Sequence, residues 1–292
     1  MLIKWKFILK NTLLFSILAF FIWLSFITLT KLHPYILNPI CNDWCDVYGR
    51  AVDDIFSGEN PYINEITINN KYVEGGFFNP PWTLIPLLPL TLFSNVVASW
   101  ILKFLNVGII AFVAYRKGAS SAAIILLMTL PHLWIGDIDW MVVLGLILPR
   151  WLGLFFVLTK PQLGAFVAFF WLIESFRQGS FREVGKVFSP VLLSLLLSFL
   201  IFGFWPLRML NIQSASSNIS IWPYALPVGL ILLLKAIKER SENEAILSPP
   251  FLVPYISVQS LPYSLIGLLP SRIYFVAGIV SVWFVWLLRG PV

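Results

Sequence analysis

From Thr12 to Thr30 the chain contains no charged residue. A helix of that length rises about 28 Å, close to the roughly 30 Å of a bilayer's hydrocarbon core. The pattern repeats downstream, with long apolar stretches at 95–115, 119–135, 187–204, 224–237, 247–268 and 273–288. Only 12% of the 292 residues are charged, against about 25% in a soluble domain. These stretches exclude a soluble globular enzyme, a disordered regulator and a repeat scaffold. They predict an integral membrane protein. The net charge of +6 is then orientation charge rather than a nucleic-acid footprint.

Lys4, Lys6 and Lys10 precede the first apolar run and place the N-terminus in the cytoplasm. The run is too long for a cleavable signal, and no small-x-small site follows it, so it is expected to remain as the first helix. Residues 31–80, rich in Pro, Asn and Gly, then form an external juxtamembrane loop of short helices. Pro81 to Phe93 carries Pro86 and Pro89 and is too short to span comfortably as an α-helix, so it is expected to be re-entrant or interfacial. For 140–176 two topologies compete. One is a single kinked span; the other, preferred, is a half-membrane hairpin turning near Pro149-Arg150. The hairpin returns Lys160-Pro161-Gln162 to the outer face and keeps the basic segment 177–186 inside. The last spans, 247–268 and 273–288, are expected to finish with Arg289 inside. The fold class is all-α: one polytopic helical domain over 1–292, with about eight spans plus re-entrant and juxtamembrane helices.

The carboxylates are placed unevenly. Asp43, Asp46, Asp53, Asp54, Glu59, Glu65 and Glu74 all fall in the external loop, and Asp137 and Asp139 form a pair after the 119–135 run. No acid lies at the centre of an apolar run, where a proton or cation transporter usually needs one. No His/Cys/Asp/Glu set at metal-ligand spacing stands out, and no cofactor is implied. Cys41 and Cys45 are as consistent with free thiols as with a short-loop disulfide.

The densest chemistry lies in Asp43-Trp44-Cys45-Asp46-Val47-Tyr48-Gly49-Arg50-Ala51, Gly58-Glu59-Asn60-Pro61-Tyr62 and Phe77-Phe78-Asn79-Pro80-Pro81. Gly58 suits a left-handed helix cap and Asn60-Pro61 a turn. These residues resemble the opening loop of the GT-C superfamily of membrane glycosyltransferases, and glycosyltransferase family 87 in particular. That family is the polyprenyl-phosphate-mannose-dependent mannosyltransferase-like group. Downstream, Gly136-Asp137-Ile138-Asp139 resembles the family's Gly-Gln-x-Asn/Asp element, with Asp137 in place of Gln. Lys160-Pro161-Gln162 resembles its Lys-Pro-Gln element.

The resemblance implies inverting transfer of a sugar, such as mannose, from a polyprenyl-phosphate donor. The acceptor would be a glycolipid, glycan or protein hydroxyl at the outer face of the cell membrane. It makes Asp43 the general base, with Asp46 as competitor, and a carboxylate suits that task. Lys160 is the expected phosphate contact, with Arg50 and His132 as weaker candidates. Tyr48, Gln162, Asp137 and Asp139 are expected to line the substrate site. Each has a plainer role. Asp43 is also a favoured helix N-cap, Lys160 a snorkelling anchor, and His132 a packed interfacial residue. Trp44 and Trp82 are candidates to stack on sugar. The alternative function is a lipid or glycolipid transporter with a lateral membrane cavity.

Overall fold

The computed structural model describes residues 43–62, 65–68, 71–74, 76–209 and 218–289, together with Ser16, 19–25, Ile27 and Thr28. Part of the expected first helix, and most of the polar loop 211–220, lies outside the described residues. Within them the fold is helical, with one exception. Strands β1 (Glu65–Ile68) and β2 (Lys71–Glu74) pair antiparallel, Ile68 opposite Lys71. The external loop is therefore not built of short helices alone. The β-branched Ile66, Thr67, Ile68 and Val73 favour a pleated ribbon over a helix.

The chain enters through a single wide π turn, Trp44–Tyr48, that leads into α1 (Gly49–Phe56). Gly58 ends this unit at φ +77 as expected, and the hydrogen bonds Gly58 N to Ile55 O and Glu59 N to Asp54 O complete a Schellman cap. Pro81–Leu92 follows as a 3₁₀ helix. With three residues per turn, Leu84, Leu87 and Leu90 fall on one stripe, and all three are buried while Ile85 and Leu88 face out. At about 2 Å per residue this form reaches further than the α-helix expected there.

The bundle proper comprises α2 (Asn95–Arg116), α3 (Ser121–Met128), α4 (Asp139–Gly145), α5 (Arg150–Val157), α6 (Pro161–Phe202), α7 (Leu226–Glu239), α8 (Glu242–Leu247), α9 (Leu261–Ile266) and α10 (Arg272–Arg289). Among the described residues α2 and α6 are long and apolar enough to cross a membrane. α6 is in fact two legs, because Gly179 and Ser180 leave helical geometry, Ser180 at φ 59. Both ends of α6 return to the same place. Trp82 donates to Phe155 O at 3.2 Å, just before α6, and packs on Trp205, just after it, at 6.0 Å between centroids. Thr83 likewise donates to Thr159 O at 3.3 Å.

α4 and α5 form the expected short hairpin, turning before Arg150. They pack at backbone contact. A Cβ on Gly145 would lie 2.7 Å from Gly153 O, and where α6 follows, one on Gly164 would lie only 2.0 Å from Val157 O at the end of α5. Small residues permit this approach where bulky ones would force the helices apart.

The two ends of the bundle differ. One gathers Lys117 with Glu242 at 2.7 Å, Arg177 with Glu174 at 2.7 Å, and Lys235 with Glu244 at 3.2 Å. The other holds Asp43, Asp137, Asp139 and Lys160. The segment 247–268 does not cross between them as one span. It bends through Pro249, Pro250 and Pro254, touches the carboxylate end where Ser260 donates to Asp139 at 3.2 Å, and turns back through α9. Gly267 then packs against Asn243 at the basic end. In consequence α10 runs toward the carboxylate end, where Trp286 meets His132 at 4.5 Å. The expected direction of the last helix is reversed.

On the outside of the bundle, Leu193, Leu196, Leu200 and Ile201 are exposed on the second leg of α6, and Ile231 and Leu234 on α7. Apolar faces this extensive are costly in water and normal against lipid.

Candidate active site

The site starts from the backbone at Asp43. Its own dihedrals are helical (φ −57, ψ −27), and its carboxylate makes no capping hydrogen bond. The capping role open to it from sequence is therefore not the one it plays. After it the π turn closes with Gly49 N–H donating to Trp44 O. Gly49 is required here, since a Cβ would stand 2.8 Å from Trp44 O. The wide turn buries both Trp44 and Tyr48. Trp44 donates to Asn95 on α2 at 3.2 Å. Tyr48 donates through its hydroxyl to Asp137 Oδ1 at 3.1 Å.

Asp137 and Asp139 sit on the turn into α4, where Gly136 adopts φ +91. Asp137 Oδ1 also accepts from Ile138 N at 2.6 Å, and its Oδ2 is paired with Lys160 Nζ. Lys160 Nζ contacts Asp139 Oδ1 at 2.6 Å as well. The hairpin of α4 and α5 thus brings its two ends together at one ammonium. Asp139 Oδ2 is buried without a hydrogen-bond partner among the described residues.

The electrostatics follow from this crowding. Burial, followed by the charges of Asp137 and Asp139, raises the Asp43 carboxyl to about 8, with Lys160 acting in the opposite sense. Burial raises Asp139 to about 6, moderated by Lys160. Burial alone would drive Lys160 toward its neutral form, but Asp137 and Asp139 overcome this and hold it well above its ordinary range. Burial and Asp137 raise the Tyr48 phenol well above its usual value, so it remains a donor.

The structure therefore gathers Asp43, Tyr48, Asp137, Asp139 and Lys160, drawn from three separated motifs. Gln162 stands beside them in the first turn of α6 and is partly exposed. Others do not join. Arg50 lines a shallow recess on the far face of α1 with Asp46, Asp54, Pro61 and Phe77. His132 is buried edge-on to Trp286, and neither ring nitrogen has a hydrogen-bond partner among the described residues. That apolar seat does not suit a phosphate contact. Lys160 is also poorly placed for that task, because its ammonium is already held by two carboxylates. Trp44 and Trp82 are packed in the interior, 2% and 6% exposed, so neither offers a face to sugar.

The second and third motif pieces serve as anchors. Asn60 Oδ1 accepts from Tyr62 N at 3.0 Å, closing the turn. Tyr62 stacks on Trp205 at 5.8 Å and donates to Asn79 O at 2.5 Å. This cluster fixes the loop to the end of α6. Cys45 is disulfide-bonded, and Cys41 is the chain's only other cysteine.

One charged neighbour was not singled out in the sequence. Lys103, on α2, is 2% exposed and within electrostatic reach of Asp43. Its signal was available, because an ionisable residue inside an apolar span is a functional candidate by default. With Asn95, Ser99 and Asn106 it forms a polar stripe along one side of α2; Asn106 accepts from Trp140 N at 3.1 Å and donates to Leu133 O at 2.9 Å.

No protein-family model, no curated protein and no solved structure matches the chain.

Proposed function

We propose that the chain is a polytopic membrane glycosyltransferase of about eight spans, with its active site at the outer membrane face. It transfers a hexose from a polyprenyl-phosphate donor to a hydroxyl of a glycolipid, glycan or protein. The observation that carries this reading is the convergence of Asp43, Tyr48, Asp137, Asp139 and Lys160 at one end of the bundle, opposite the basic end. These are the residues of the family resemblance, and they come from distant parts of the chain. The disulfide at Cys45 and the basic residues at the far end both support an external site.

In the proposed reaction the acceptor oxygen attacks the anomeric carbon and its proton passes to the Asp43 carboxylate. The bond from that carbon to the phosphate oxygen breaks, and polyprenyl phosphate leaves with the electron pair. A base with a pKa near the working pH combines a useful ionised fraction with driving force for proton uptake. Asp139 Oδ2, an acceptor without a hydrogen-bond partner among the described residues, suits a sugar hydroxyl. Lys160 serves as a positioning residue that holds Asp137 and Asp139 beside the base. Incubating membranes with lipid-phosphate sugars and crude glycolipid, then analysing products by mass spectrometry, tests the reading. Asp43→Asn should abolish the product at unchanged expression; normal transfer by that variant would overturn it.

A lipid or glycolipid transporter is the second reading. The titratable Asp43 and Asp139, set beside a buried ammonium, also suit proton-coupled movement of a headgroup. Translocation of lipid phosphate by the purified protein, with no sugar product, would favour it.

A further inference from the structure

We infer that the bend of α6, with the start of α5 and the end of α7 against it, holds the head of an anionic phospholipid in the leaflet opposite the candidate active site. This surface stands apart from Asp43 and its neighbours, so it does not depend on the reaction proposed above.

The bend lies a membrane's thickness from that site. The first leg of α6, from Pro161 to Gln178, is about 27 Å long at 1.5 Å per residue, close to the roughly 30 Å of a hydrocarbon core. Every residue from Phe176 to Arg182 is exposed. Within this stretch Ser180 takes φ 59 and ψ −155, a conformation in which only glycine is unstrained. The break sets two rings side by side. Phe176 and Phe181, 50% and 77% exposed, meet edge to face at 5.1 Å. An exposed ring pair is costly in water and at home where acyl chains meet headgroups.

Cations reach the bend from three elements. Arg150, at the start of α5, donates to Gln178 at 3.4 Å. Arg177 donates to Ile237 O at 2.8 Å and so ties the bend to the end of α7. The carboxylates beside them are already engaged. Glu174 holds Arg177 at 2.7 Å and Arg240 at 3.9 Å, Glu183 pairs with Lys186 at 3.2 Å, and Glu239 with Lys235 at 3.8 Å. Arg150, Arg182 and Lys238 make no ion pair among the described residues, and the last two are exposed. A positive surplus is thus left beside rings that suit lipid. That combination matches an anionic headgroup on acyl chains, and arginine forks suit its phosphate oxygens. A zwitterionic lipid brings the same chains but no net charge to meet the surplus.

The test adds dioleoylphosphatidylglycerol or dioleoylphosphatidylcholine to the purified full chain in detergent and reads bound lipid by native mass spectrometry. Glycerol 3-phosphate is the soluble comparison. Wild type should hold phosphatidylglycerol at least about tenfold more tightly than phosphatidylcholine, since each cation meeting an anionic lipid is worth about fivefold. Arg182→Gln combined with Lys238→Gln, both exposed positions, should remove most of that preference. It should leave phosphatidylcholine binding and the lipid-free thermal midpoint unchanged. Phe181→Ala should weaken both lipids alike, and no effect on either overturns the role of the ring pair. Equal retention of the two lipids by wild type, or an unchanged preference in the double variant, overturns the proposal. An equal loss in Arg272→Gln, at the start of α10, overturns the assignment to the bend. Glycerol 3-phosphate bound as tightly as the lipid overturns the membrane as the source of the ligand.

Discussion

Tyr48 and Asp137 are joined by a buried hydrogen bond of 3.1 Å between the π turn before α1 and the turn that leads into α4. The two residues are far apart in sequence, and the bond fixes how Asp43, five positions before Tyr48, faces the acidic pair. Tyr48→Phe removes one donor and leaves the ring in place. It should cost about 0.5–1.5 kcal/mol of stability, visible as a modest fall in thermal midpoint in detergent. A variant as stable as wild type would show that the bond does not order this interface.

Lys160 is a more severe case. It is the shared cation of Asp137 and Asp139, and replacing it with Met leaves two buried carboxylates facing each other. The loss should be about 3–5 kcal/mol. Adding Asp137→Asn to that variant should recover part of it, since one uncompensated charge is removed. If the double variant is no more stable than Lys160→Met, the pair does not carry the energy assigned to it.

Asp43 sets the pH response. Its carboxyl is raised to about 8, so the ionised fraction, and with it kcat/KM for transfer, should climb as pH rises and level off above about 8. The sign for stability is the opposite. Between the ordinary value of 3.8 and about 8 the folded state holds a proton that the unfolded chain has lost, so this group favours folding less as pH rises through that window. Asp43→Asn should flatten that contribution. A rate that falls between pH 6 and pH 8 would exclude Asp43 as the base.

The packing of α6 against the end of α5 depends on Gly164. A methyl there would sit 2.0 Å from Val157 O. Gly164→Ala should destabilise by about 1–3 kcal/mol through overpacking. Because α5 leads into Lys160, transfer activity should fall with it. Retained midpoint and activity would mean that the two helices have room to part.

Orientation can be read with a membrane-impermeant thiol reagent. A cysteine at Ser57 should be labelled from outside, whereas cysteines at Gln178 and Arg272 should not. Labelling at Arg272 would restore the inward-running last helix that hydropathy suggested and remove its contact between Trp286 and His132.

How far the sequence carried depends on which residues are considered. Asp43, Tyr48, Asp137, Asp139 and Lys160 could be gathered as a motif, and the turn near Pro149 could be placed by where the basic residues must lie. Lys103 is a lone base inside an apolar run, and hydropathy and the distribution of acids do not distinguish a functional ammonium there from one that snorkels to the interface. The reversal between Pro249 and Ser260 was hidden because mean hydropathy is blind to where backbone donors are missing. The strands at 65–68 and 71–74 carried their own signal in the β-branched Ile66, Thr67, Ile68 and Val73, set on either side of the polar dipeptide Asn69-Asn70 in the sequence. Among the described residues α2 and α6 are the helices long and apolar enough to cross a membrane on their own.

The hairpin begins at Asp139 and ends at Lys160, so their ion pair is a clasp on a closed loop whose entropy of closure is already met by folding. A clasp of this kind works in both directions. A ligand that engages Asp139 competes with Lys160 for the same oxygens, and whatever loosens that grip loosens α4 and α5 together. In the proposed function, binding of a sugar hydroxyl at Asp139 would thereby be tied to the firmness of this hairpin, and bound substrate should be legible as altered hydrogen exchange at 139–157.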